Sequence, residues 1–320
     1  MRSAYGEHRT VYQHPLAYLI GLEGIALLRA FAGEYDREFT HARFREIRAL
    51  LDAPDAFGAG TEAVPISTRE GYDSWAPAYD HQSNQLLEIE QPIVRAILDT
   101  LPVGVVLDAA CGTGRHADYL ASLGHRVIGV DSSPGMLARA RDKVPAGEFH
   151  EADLHALPLG ERSVDVVVCA IALSSLPDLG GPFREFARVL RPGGHLVVSD
   201  LRGLIRDVGF PVLFDGPDYG APEGELGFLP THAHRTSDYL GAALPLGFHL
   251  LRCEEPEVPS PLLDAEGRSL HDGERLPPQD PNQPPYTWAL HAEAIEATNA
   301  AWRDKPSSII LHFRNGGPEA

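Results

Sequence analysis

The chain has 320 residues, 43% of them hydrophobic, and a formal net charge of −18 at pH 7. That apolar content supports a full core and excludes a wholly disordered chain. The acidity argues against a protein that wraps nucleic acid or lies on an anionic membrane, since both need basic patches. Cys111, Cys169 and Cys253 are far apart and form no CxxC, so neither a disulfide framework nor a zinc site is suggested.

Residues 1 to about 101 read as helical. Pro15 suits a first helical position and Gly33 a C-terminal cap, with a nearly all-apolar helix between them. No side of that helix suits water, so the core or a second subunit has to cover it; a homodimer through the N-terminal helices is one solution. The same run, Leu16–Phe31, is interrupted by Glu23, Arg29 and two glycines and is too short to span a bilayer. MRSAYGEHRT leads into no small-residue cleavage site, so a cytoplasmic protein without a membrane partner is expected. Phe44, Ile47 and Leu51 give a second helix an apolar face. Leu86, Ile89, Ile93, Ile97 and Leu101 do the same for another, with an interruption expected where Pro92 starts a new helix. Residues 1–70 are therefore expected to form a helical extension that serves as lid or dimer interface, ahead of a domain over 71–320.

From about 102 to 201, strands and helices alternate. Strands are expected at Val105–Asp108, Arg126–Val130, Glu148–His150, Val164–Ala170 and His195–Ser199, with helices at about Arg115–Leu123, Pro134–Lys143 and Pro182–Leu190. Continuous apolar runs such as VDVVVCA fit strands covered on both faces, and the alternation means an α/β, doubly wound parallel sheet. Beyond Arg202, a helix over Arg235–Leu246 and strands over His249–Cys253 and Ser308–Arg314 complete the chain. Insertions at about 202–231 and 256–300, the latter rich in proline, have the length and composition of lids.

The chemistry-bearing residues cluster at strand ends. VVLDAACGTGR places Asp108 at the end of a strand and Gly112 and Gly114 in a turn that lets a ligand approach the main chain. The following helix start offers unpaired N–H groups to a carboxylate. Asp131 ends the next strand, where a carboxylate can receive two ribose hydroxyls. Asp153-Leu154 follows the third strand and can read an adenine edge. A strand-ending aspartate is also an ordinary turn cap, and a lone GxG is weak evidence; three such acids on successive strands carry the argument.

DAACGTGRHADYLA resembles the glycine motif of class I S-adenosylmethionine (SAM)-dependent methyltransferases, and GVDSSPGMLARAR their second-strand motif. ADLHALPL, VDVVVCAIALSSLPD and FREFARVLRPGGHLVVSDL match the later motifs in order, and GYDSWAPAYD resembles the lead-in that closes over the cofactor. The likeness covers roughly residues 71–256 and again 307–314. It implies a Rossmann-like, seven-stranded sheet with its last strand antiparallel. It also implies contacts of Asp108, Ala110, Gly112 and Gly114 with the methionyl part, and of Asp131 and Ser132 with the ribose. Met136, Asp153 and Leu154 would surround adenine, Ala170 and Ile171 would line the methyl side, and Tyr72 and Tyr79 would cap the methionine, unless the two tyrosines are core aromatics. S-adenosylhomocysteine (SAH) would be the product.

GTGRHA also fits the G-x-G-x-x-A of nicotinamide dehydrogenases, but Asp108 would there face a pyrophosphate and repel it. A SAM-binding protein that uses the cofactor structurally, or for a non-methylating reaction, is the remaining alternative. For the acceptor, a small and hydrophobic or aromatic metabolite is expected, with His232 and His234 as base candidates and Trp75, Phe214, Tyr219 and Phe228 as aromatic contacts. The competing reading of the histidines is a helix cap or a solvated loop. The His-x-His pair has no evident third ligand, so no metal is expected, and no basic groove suggests nucleic acid.

Overall fold

The computed structural model describes residues 10–77, 79–81, 85–204, 212–215, 226–269 and 287–316. The N-terminal part holds β1 (Val11–Gln13), α1 (Pro15–Phe31), α2 (Arg37–Asp52), β2 (Thr61–Pro65), α3 (Thr68–Trp75) and α4 (Gln85–Leu98). The central part follows as β3 (Val105–Ala109), α5 (Arg115–Ser122), β4 (Arg126–Asp131), α6 (Pro134–Lys143), β5 (Glu148–Glu151), β6 (Val164–Ala170), α7 (Gly180–Val189) and β7 (Leu190–Leu201). Then come β8 (Val212–Asp215), β9 (Leu226–Leu229), α8 (Thr236–Ala243), β10 (Phe248–Glu254), α9 (Thr287–Glu293), α10 (Ile295–Trp302) and β11 (Ser308–Asn315).

The main sheet has seven strands in the order β10-β11-β7-β6-β3-β4-β5. β3 to β7 run parallel, and β11 lies antiparallel to both of its neighbours, as the sequence led us to expect. Val166, Val168 and Val197 point into a layer with Val94 and Ile97 of α4 and Leu120 of α5. Val167, Cys169, Leu196 and Val198 point the other way, against Phe183 and Phe186 of α7 and Tyr239 of α8. Both faces of the central strands are thus covered, which is why these strands read as unbroken apolar runs. The strand order reverses direction between β3 and β6, and the carboxyl edge at such a switch point is where an open α/β sheet leaves a crevice.

α1 buries Leu19, Leu22 and Ala26 against Ala297, Ala300 and Ala301 of α10. Its Glu23 is fully buried with Oε2 3.6 Å from Nε of Arg43 on α2, and burial pushes its carboxyl up to about 7. The chain's own C-terminal helices therefore cover one side of the apolar helix, while Leu28 and Phe31 remain 69% and 93% exposed. No helix among the described residues is long and apolar enough to cross a membrane.

Two features depart from expectation. α4 runs unbroken through Pro92. The Pro92 ring is exposed, and so is Glu88, whose carbonyl loses the donor, so solvent can reach the gap in the helix ladder. The second feature is a small sheet, β1-β2-β9-β8, in a region read as helix and lid. It pairs Ala63 with Leu226 and Pro65 with Phe228 in parallel. Segments of three to five residues carry too little periodicity to announce themselves, and their pairing is non-local.

Candidate cofactor and acceptor site

A cleft with about 980 Å³ of empty space, part of it open to solvent, lies at the carboxyl ends of β3, β4 and β6. Of the residues expected to hold a cofactor, Tyr72, Tyr79, Asp108, Ala110, Gly112, Asp131, Ser132, Met136, Asp153, Leu154, Ala170 and Ile171 all line it.

The backbone is bent sharply here. Ala110 (φ 59°) after β3 and Ile171 (φ 51°) after β6 both adopt the left-handed region, which is costly for a residue with a side chain and especially for a β-branched one. Gly112 (φ 53°) donates its N–H to Asp131 Oδ2 at 2.8 Å, and Ser133 donates its N–H to Oδ1 at 2.9 Å. One carboxylate at the end of β4 thus fixes both the glycine turn and the start of α6. Burial raises the pKa of Asp131, against the pull of these N–H groups. A Cβ placed on Gly112 would meet nothing within 4 Å, so the main chain there faces open space.

Gly114 does not line the cleft. It caps α5 with φ 84°, and a Cβ on it would stand 3.1 Å from Ala140 Cα. The constraint the structure puts on it is close packing of α5 on α6. Gly114→Ala should therefore cost about 1–3 kcal/mol in urea unfolding through strain and crowding. SAM affinity measured below the transition should change far less.

Asp108 is only 2% exposed, and its Oδ2 has no hydrogen-bond partner. Burial pushes its carboxyl up to about 6, against the opposing charges of His116 and Arg115. An acceptor stranded at the bottom of a cleft is waiting for a donor, and an ammonium group is the donor that would also settle its charge.

α3 and the turn at 79–81 close one wall. Asp73 Oδ1 accepts from Ser133 Oγ at 3.0 Å and from Gly135 N at 2.6 Å. Asp80 accepts from Thr113 Oγ1 at 2.7 Å and from Lys143 Nζ at 2.9 Å. Two aspartates thus fasten the lead-in to α6 and the glycine turn, and they hold Tyr72 and Tyr79 over the cleft with ring centroids 6.3 Å apart. Opposite, Asp153 Oδ1 accepts the N–H and Nδ1 of His155 at 2.7 and 2.6 Å. Met136 is buried beneath.

Sequence reasoning missed Glu90 of α4. It is fully buried; Oε2 accepts from Arg115 Nη1 at 2.8 Å and Oε1 from Ser199 Oγ at 2.6 Å, with His116 Nε2 3.5 Å from Oε1. Burial opposes ionisation, yet His116, Arg115 and Ser199 hold its carboxyl down at about 2. The signal was available: Glu90 falls at helical spacing among Leu86, Ile93 and Ile97, a charge on an otherwise apolar face.

The acceptor-side expectations fare differently. His234 is buried, and its Nε2 lies 2.8 Å from the carbonyl of Leu176 and 3.2 Å from that of Leu173, so Nε2 carries the proton and donates it. The ring ties down the turn after β6 instead of facing the cleft. His232 does not line the cleft either; its backbone N–H donates to Ser174 O at 2.6 Å, one residue from the lining residue Ser175. Burial, and then the charge of His234, lower its imidazole pKa. Trp75 sits behind the tyrosines, 4.9 Å from the Tyr79 ring and packed with Ile66 and Leu229. Phe228 is fully buried in the core of the small sheet and cannot touch an acceptor. Phe214, on β8, pairs with Gly227 of β9, and Tyr219 lies outside the described residues. No group of three or more His, Cys, Asp or Glu among the described residues could hold a metal ion.

Comparison with known proteins agrees with this geometry. Residues 107–198 match the family model described as a methyltransferase domain. The malonyl-[acyl-carrier protein] O-methyltransferase of Yersinia pestis is 36% identical over 132 residues, covering 41% of this chain and 46% of that protein. The demethylmenaquinone methyltransferase of Chlorobaculum parvum is 36% identical over 138 residues, covering 40% of this chain and 57% of that protein. The chain thus spans about half the length of these curated relatives. A chain from the complex of the Haloferax volcanii Trm112 methyltransferase activator superimposes with TM-score 0.53 at 20% identity, over 78% of this chain and 100% of that one, and shows the fold. Residues 107–198 are thus similar to a methyltransferase domain, and the seven-stranded sheet they help to build has the fold of the solved structure.

Proposed function

We propose that the protein transfers the methyl group of SAM to a small, apolar or aromatic acceptor and releases SAH. The observation that carries this reading is the buried, partnerless Asp108 oxygen beside an open glycine turn at the carboxyl edge of the sheet. These residues fit the cofactor: Asp108 would take the methionyl amine, Asp131 and Ser132 the ribose, and Met136, Asp153 and Leu154 the adenine. Bound there, the cofactor supplies an electrophilic methyl group on a sulfonium, so the chain's work is alignment and exclusion of water. Ile171, held by its N–H to Ser199 O at 2.9 Å, offers a rigid wall for that alignment. Tyr72, Leu87, Ile171 and Leu176 give the cleft an apolar side suited to such an acceptor. Relatives named for demethylmenaquinone and for a malonyl group support an acceptor other than nucleic acid.

An acceptor that loses a proton needs a base; with the His234 ring given to the carbonyls of Leu173 and Leu176, His232 is the candidate of the two, although neither lines the cleft. His232→Ala should lower turnover with SAM affinity and melting temperature intact. His234→Ala should instead destabilise the fold by about 1–3 kcal/mol, because two carbonyls lose their donor. The exposed Leu28 and Phe31 support pairing of two copies through α1, in a cytoplasmic protein. The test of the activity is transfer of tritium from [methyl-³H]SAM into a solvent-extractable pool of small phenols, quinols and carboxylic acids. Label that enters only protein or nucleic acid, or enters nothing while SAM binds, counts against the reading; the second result would favour a structural use of the cofactor.

A further inference from the structure

Asp153 follows β5 and lines the cleft beside Leu154, with its side chain 65% exposed. An aspartate that open to solvent has several staggered wells to choose from, and only some of them aim its carboxylate at a given ligand edge. Here one oxygen is already committed. Oδ1 accepts the backbone N–H of His155 at 2.7 Å and its ring Nδ1–H at 2.6 Å. A carboxylate only accepts, so the proton of the second bond sits on Nδ1. Oδ2 makes no hydrogen bond to a described residue and keeps its accepting capacity. Partial burial works against ionisation, yet the two donors of His155 hold this carboxyl below its ordinary value.

The imidazole is itself seated. A Cβ added to Gly181, in the first turn of α7, would stand 2.2 Å from His155 Cδ2 and 3.0 Å from Nε2, so the ring lies against main chain that only glycine leaves bare. The intervening loop is pinned as well: Ala152 donates its N–H to Asp131 O and Ala156 donates its own to Asp153 O, both at 3.0 Å. Contacts from β4 and α7 thus converge on the segment that carries this carboxylate. Resting on the reading of the cleft as a SAM site, we propose that His155 is the positioning residue of the adenine end, holding Asp153 so that its free oxygen takes the 6-amino group, with Gly181 as the seat of the ring. An acceptor aimed in advance loses little freedom on binding, and it disfavours a purine that presents an oxygen in place of the amine.

The experiment is calorimetry with SAH and with S-inosylhomocysteine, which carries an oxygen where adenine carries its 6-amino group. The proteins are wild type, His155→Ala, His155→Asn, Gly181→Ala and the double variant His155→Ala with Gly181→Ala. Wild type should prefer SAH by about 10- to 100-fold, because an oxygen set against a carboxylate leaves two acceptors facing each other. His155→Ala should lose about 3- to 10-fold of that preference, a modest share because the pair is half-exposed. His155→Asn should restore most of it, since its amide nitrogen can stand in for Nδ1 as donor. Gly181→Ala should match His155→Ala, and the double variant should be no worse than either. Simple loosening of the fold weakens both ligands alike and leaves the ratio untouched. If wild type binds neither ligand, the cofactor reading falls and the positioning role with it. If it binds both without preference, the cofactor reading stands and the role of Asp153 and His155 falls. An unchanged ratio in His155→Ala, or a loss that His155→Asn does not restore, overturns the positioning role. Additive losses in the double variant overturn the seat.

Discussion

Asp108→Asn should weaken SAM binding by about 10- to 100-fold, the size of one charge-assisted hydrogen bond, without lowering the melting temperature at pH 7.5. The two halves of this expectation have one cause. Asp108 is buried, its Oδ2 is unpaired, and its carboxyl is raised to about 6 from an ordinary value of 3.8. Between those values the folded protein holds a proton that the unfolded chain has released, so this group's contribution falls as pH rises through that window. Above pH 6 the penalty is on the order of 3 kcal/mol, which the neutral amide avoids. The same protonation governs binding, because only the carboxylate attracts an ammonium. Wild-type SAM affinity should therefore be about tenfold weaker at pH 5 than at pH 7.5, with a flat profile for Asp108→Asn. A variant that binds SAM normally and melts earlier would mean that Asp108 is a structural acid.

Asp131→Ala is expected to have the other large effect, and it should strike binding and fold together. The carboxylate takes the N–H of Gly112 at 2.8 Å and of Ser133 at 2.9 Å before any ligand arrives. Removing it strands two backbone donors at about 1–3 kcal/mol each and frees the turn that must lie under the cofactor. Loss of the ribose contact comes on top, so SAM affinity should fall by at least about 100-fold. Asp131→Asn keeps one acceptor oxygen and should fall between. Chemical denaturation with calorimetry on the same samples separates the stability loss from the binding loss. If Asp131→Ala unfolds at wild-type urea concentration, the turn does not depend on this carboxylate.

The contrast between what was and was not legible follows from the range of the interactions. β6 and α6 were bounded correctly because a continuous apolar run and a Ser-Pro helix start are local signals. The cleft wall was legible for the same reason: Asp108, Asp131 and Asp153 each end or follow a strand, and strand ends converge on one edge of a parallel sheet. The acceptor side was not. Phe228 reads as a lid aromatic until β9 pairs with β2 and buries it. His234 reads as a base until its ring is found tied to two carbonyls of a turn some sixty residues earlier in the chain. Gly114 belongs to the glycine motif, yet its constraint is the approach of Ala140, which a motif cannot show. Glu90 is the instructive miss, since a buried charge needs its partners and those sit on α5 and β7.

The central claim is that this cleft is a SAM site, and titration calorimetry of the purified protein with SAM, SAH and NAD tests it most directly. The account predicts micromolar binding of SAM and SAH and none of NAD. Binding of NAD alone would return Asp131 to a dehydrogenase role and contradict the assignment of Asp108, whose carboxylate would then face a pyrophosphate.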